Sequence, residues 1–211
     1  MTFMLMGNSD NAVTMATYMK HHFSFVGVKT PERKAQSKAL LKASLTVPLP
    51  EVLSQIDGLW QREEREYQYV AIDMALINLR RWSLESLEQL VPYVNDKAWW
   101  DSVDAWRKLF QEYVKRHPED RETVFEWFYG QDDFWLRRVG INLQLTAKAD
   151  TDTAMLTKAI LADQATDEFF IQKAIGWALR DYAKTDPEWV RQFIAGHPLS
   201  SLATREGGKY L

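Results

Sequence analysis

Two segments of the chain match in chemical type at nearly every position. Residues 132–139 read DDFWLRRV and, 35 residues on, residues 167–174 read DEFFIQKA. The same step back from 132–139 puts Trp99-Trp100 in register with Phe134-Trp135 and Phe169-Phe170. A period of this length belongs to helical-pair repeats. Each such unit buries its apolar face only against its neighbours, so the repeat predicts an array of stacked helix pairs rather than a closed bundle.

The rest of the sequence agrees with an all-α chain. Helices are predicted over 10–20, over 30–44 behind Thr30-Pro31-Glu32, and from the VPLP break at 47–50 through Trp60. Further helices are predicted over 67–82, 84–95 with a break at Pro92, 97–110, 121–129, 133–146, 154–163, 168–184 and 187–195. No strand alternation interrupts them. The W-x-x-L-G-x-x-Y pattern of tetratricopeptide repeats is missing, so the expectation is a single α-solenoid domain of HEAT-like repeats over residues 1–211.

Composition narrows the function. The 26 basic and 29 acidic residues leave a net charge of -3, which argues against a generic nucleic-acid binder unless one face is locally basic. There is no cysteine, which excludes disulfides and thiolate chemistry and fits a reducing cytoplasm. His21, His22, His117 and His197 lack paired metal-ligand spacing. The opening MTFMLM is too short for a signal-peptide core, and no apolar run reaches the length of a membrane span. A cytoplasmic protein without metal, cofactor or membrane partner is expected. A continuous array needs no second copy, so the expected state is a monomer.

The stretch KAWWDSVDAWRKLF, residues 97–110, carries the most informative pattern. Its apolar seam is Trp99, Val103, Trp106 and Phe110. Trp100 and Asp104 lie off that seam, four residues apart and so one turn above the other. With the second aromatic of each repeat as origin, the aligned stripes are Trp100, Val103, Asp104, Arg107; then Trp135, Arg138, Val139, Asn142; then Phe170, Lys173, Ala174, Trp177. In the second and third copies the buried stripe runs through Leu136, Gly140, Leu143 and Ile171, Ile175, Ala178. Stacking would bring Trp100, Asp104, Arg138 and Trp177 together. Taken singly, each indole is explained as packing between repeats and each charge as a solvated face. In combination they suit a cationic ligand or transition state, because indole faces attract cations and a carboxylate stabilises positive charge. Acyl-transfer and phosphate-loop motifs are absent.

WWDSVD (99–104), FWLRRV (134–139) and FFIQKAIGWALRDYAKTDPEWV (169–190) closely resemble the AlkD-like DNA alkylation repair family of HEAT-like-repeat DNA glycosylases. YMKHHFSFVGVKTPER (18–33) and REYQYVAID (65–73) fit the same family, so the resemblance spans almost the whole chain. It implies excision of N3- and N7-alkylated purines from duplex DNA held on a concave face. Asp104 would be the catalytic carboxylate, with Trp100 and Trp177 forming the aromatic cleft, and Asp101 structural. Arg138 would contact the DNA backbone near the lesion, and Tyr18, Lys29, Lys173 and Arg180 are further candidates for DNA contact. Nothing marks a lysine as a Schiff-base nucleophile, so a monofunctional enzyme without lyase activity is expected. The alternatives are a non-catalytic solenoid binding DNA structures or a protein partner, and a peptide-binding repeat protein. One departure from the family is the ending REGGKYL, in which Gly207-Gly208 predicts the loss of the usual C-terminal helix.

Overall fold

A computed structural model describes residues 3–211; the first two residues of the MTFMLM opening lie outside them. Among the described residues all regular structure is helical, as the repeat predicts. The chain forms two compact units, one up to Ser83 and one from Leu84 to Leu211.

The first unit contains α1 (Ser9–Tyr18), α2 (Thr30–Ser44), α3 (Leu49–Trp60) and α4 (Arg65–Ile77). Asn8 caps α1, its side chain accepting from the amides of Asp10 and Asn11, yet α1 buries none of its own residues. The core lies between α3 and α4, where Val52, Ile56, Trp60, Val70, Ala71 and Met74 are fully buried. The segment before α2 is tied down by Glu66 of α4. Its buried carboxylate accepts from the backbone N–H groups of Val26, Gly27 and Val28 at 3.0, 2.8 and 2.9 Å. Gly27 has φ +89°, and a side chain there would collide with the Asn8 carbonyl, so glycine is required. The helix predicted over 67–82 instead ends at Ile77 and continues as a 3-10 turn, Leu79–Arg81. Side-chain bonds hold that ending: Arg81 donates to the carbonyl of Ser44 at 2.8 Å, and the Trp82 indole to that of Ala75 at 2.9 Å.

The second unit runs α5 (Leu84–Glu88), α6 (Pro92–Asn95), α7 (Trp100–Arg116), α8 (Arg121–Glu126), α9 (Phe134–Ile141), α10 (Thr153–Asp163), α11 (Phe169–Tyr182), α12 (Pro187–Gly196) and α13 (Ser201–Gly207). Pro92 separates α5 from α6, as expected. The helices in repeat register, α7, α9 and α11, pack in sequence, α7 on α9 and α9 on α11. Equivalent positions do equivalent work. Asp133 and Glu168 both cap their helices by accepting backbone N–H groups. One residue before the stripe cation, Arg137 and Gln172 each bond carbonyls of the loop ahead of their own helix.

Other boundaries differ from the sequence reading as well: the helix expected over 97–110 runs Trp100–Arg116, and the one expected over 121–129 ends at Glu126. Where one helix was expected over 133–146, α9 ends at Ile141, and the chain turns through Thr146, which sits at φ +64°. At the C-terminus a helix does form, and it ends at the glycine pair, with Gly208 as its C-cap and Gly207 as its last residue. Gly207 is helical, with φ -68° and ψ -36°, and a 3-10 turn, Gly208–Tyr210, follows. A Cβ on Gly207 would lie 3.0 Å from that of Leu179. The glycine here allows close helix packing as well as standing at the stop. Among the described residues no helix is long and apolar enough to cross a membrane.

Candidate active site

In α7 the expected seam is buried at Val103, Trp106 and Phe110, none of which is exposed at all. Trp99 departs from it. It is the N-cap residue, outside the helix, and its indole meets Trp135 and Phe170 edge-on at 6.0 and 5.3 Å. Trp135 and Phe170 also touch each other, at 4.7 Å. Trp135 and Phe170, the second aromatics of their repeats, therefore pack between neighbouring helices.

One turn beyond Trp100, Asp104 is only partly exposed. Arg138 of α9 grips it at two points, Nε to Oδ1 and Nη2 to Oδ2, each at 3.0 Å. The third guanidinium nitrogen, Nη1, donates to the Phe170 carbonyl at 2.6 Å. Such a planar fork onto a carboxylate is among the stronger side-chain interactions. Trp177 of α11 completes the cluster. Its ring centroid lies 6.0 Å from the Arg138 guanidinium carbon and 5.5 Å from that of Arg107. Asp104, Arg138 and Trp177, from three successive repeat helices, thus come together as the register predicts. Trp100, half-buried, opens the same helix as Asp104.

Arg107, which the stripe contains but which was not among the candidates, is a fourth member. It is buried and bonds Gln111, and burial holds its pKa below the ordinary arginine value. Asp104 opposes that shift and the neighbouring Arg138 adds to it. The site therefore gathers two guanidiniums around one carboxylate and one indole.

The remaining candidates lie elsewhere. Lys173 and Arg180 flank Trp177 on α11 but turn to Glu206 of α13, at 3.6 and 2.9 Å. Tyr18 and Lys29 belong to the first unit. Tyr18 ends α1 and is largely exposed; Lys29 is the N-cap of α2, where its backbone N–H donates to Glu32. Glu206 was missed because its role depends on the packing of α13, which local sequence does not reveal.

Among the described residues, one group has ligand atoms close enough to share a cation, His117, Glu119 and Asp120. Its members already have partners: Tyr113 donates to Asp120, and His117 faces Glu119.

The fold and the site define an all-α repeat protein whose successive helices present a clamped carboxylate beside an indole. Residues 2–211 match the family described as DNA alkylation repair enzyme, and the chain belongs to that family. A solved structure, described as a predicted DNA alkylation repair enzyme from Enterococcus faecalis, is 52% identical, with a TM-score of 0.98. The match covers 100% of this chain and 99% of that one. No curated protein matches.

Proposed function

We propose that the protein is a monofunctional DNA glycosylase that removes N3- and N7-alkylated purines from duplex DNA. The observation that carries this reading is the meeting of Asp104, Arg138 and Trp177 from three repeat helices. An alkylated purine of this kind already bears a positive charge. When the bond from the sugar C1′ to the base nitrogen breaks, its electron pair neutralises the base, and positive charge passes to the sugar. Asp104 stabilises that oxocarbenium-like sugar electrostatically, and the indoles of Trp177 and Trp100 tolerate the cationic base. Water then adds to C1′, and Asp104 accepts its proton. Because the leaving base is activated by its own charge, the step draws on no Lewis acid or cofactor. Arg138, buried and with all three nitrogens engaged, orients Asp104.

A second reading is favoured by one specific feature: both oxygens of Asp104 are occupied by Arg138. A carboxylate held this way is partly neutralised, which suits a protein that recognises damaged or branched DNA without cutting the glycosidic bond. Incubation with methylated duplex DNA, followed by chromatography of released bases, separates the two. Release of 3-methyladenine or 7-methylguanine, leaving an unbroken abasic strand, is the expected result. Salt-dependent binding without release would replace it with the second reading.

A further inference from the structure

Glu206 stands at the centre of a cluster that the site described above does not use. It is buried, and its Oε2 accepts from Arg180 Nη1 and Lys209 Nζ, each at 2.9 Å, while Lys173 Nζ lies 3.6 Å from Oε1. The carboxylate side chain is 9% exposed, against 40% for Lys173, 28% for Arg180 and 47% for Lys209. The acid is therefore inside and the three cations are outside, open to solvent. Their charges exceed that of the single carboxylate by two.

Packing fixes this arrangement. Lys173, Gly176 and Arg180 follow one another at three and four residues and so share a face of α11. Glu206 enters the gap that Gly176 leaves, where a Cβ would lie 2.5 Å from the Glu206 Cβ and 3.1 Å from the Ala203 carbonyl oxygen. Gly207, pressed against Leu179, brings α13 equally close. The carboxylate cannot withdraw without unseating the helix. Its hydrogen bond from Lys209 and the other cations hold its pKa below the usual glutamate value, so it stays charged at neutral pH.

We propose that Lys173, Arg180 and Lys209 form a seat for DNA backbone phosphate, and that Glu206 is a built-in counter-charge setting how tightly that seat holds undamaged duplex. This rests on the reading of the protein as a DNA-binding repair enzyme. A fixed acid beneath the cations lowers non-specific affinity without touching the lesion site, and so favours release from plain DNA.

The test is titration of the full chain with an unmodified duplex across a range of salt concentrations. Glu206→Gln should bind about two- to fivefold tighter at low salt, the range of one partly screened charge pair. The gain should vanish at high salt, and also when Lys173→Met and Lys209→Met are added. Lys209→Met alone, at an exposed position, should weaken binding and reduce the salt slope by about one. Unchanged or weaker binding by folded Glu206→Gln overturns the proposal, as does a gain that survives loss of both lysines. An unchanged slope in Lys209→Met does the same should Glu206→Gln not fold. Because this duplex carries no lesion, failure of base excision alone leaves the result standing. Absence of duplex binding by the wild type overturns both readings.

Discussion

Arg138 holds Asp104 by two parallel bonds of 3.0 Å and spends its remaining nitrogen on the Phe170 carbonyl. The partners are unequally buried, with side-chain exposures of 6% for Arg138 and 22% for Asp104. Removing Asp104 strands a buried guanidinium. Removing Arg138 leaves a carboxylate that water reaches. Asp104→Ala should therefore cost about 3 kcal/mol of stability and Arg138→Met only about 1–2 kcal/mol. Urea unfolding of both variants measures the order, and the reverse order would contradict the role given to burial here.

Two helical glycines should respond in opposite directions to alanine. At Gly176 the new methyl group meets Glu206 and Ala203, so overpacking of about 1–3 kcal/mol outweighs the gain in helix propensity of about 1 kcal/mol. At Gly58, within α3, nothing lies within 4 Å of the added Cβ. Gly58→Ala should stabilise by about 0.5–1 kcal/mol. Thermal melting of the pair checks this. Destabilisation by Gly58→Ala, or none by Gly176→Ala, would count against the packing described.

These two positions also show what the sequence can and cannot reveal. The repeat was legible because Asp133 and Glu168, which cap their helices, and Arg137 and Gln172, which bond the loops ahead of them, recur at the same register and serve the same local needs. Asp104, Arg138 and Trp177 followed from that register and helical spacing. Trp135 and Phe170 pack between neighbouring helices, as the packing reading of each aromatic has it, but periodicity alone does not show which stripe residues turn inward to each other and which meet at Asp104. The C-terminal glycines were read in part. Propensity marks them as the end of a helix, which they are, but does not reveal that α13 forms ahead of them or that Leu179 packs against Gly207. Glu206 could not be seen, because two of its three partners, Lys173 and Arg180, meet it only when α13 docks on α11.

Stability should fall in acid partly through Glu206. Its folded carboxyl titrates below the ordinary value of 4.5, held there first by Lys209 and further by Lys173 and Arg180. A carboxyl depressed on folding contributes fully above its unfolded pKa, and that contribution is lost as pH falls through the folded value. Urea midpoints of the wild type should thus decline below about pH 4.5 more steeply than those of Glu206→Gln. Parallel declines would show that the cluster does not couple to folding.

The most direct test of the central claim compares release of 7-methylguanine from methylated duplex DNA by the wild type and by Asp104→Asn, under single-turnover conditions. Asparagine keeps the shape and one bond to Arg138 but removes the charge. Release by the wild type and a loss of about 10²-fold or more in the variant are expected, with circular dichroism unchanged. No release by the wild type, or equal rates for the two proteins, would contradict that claim.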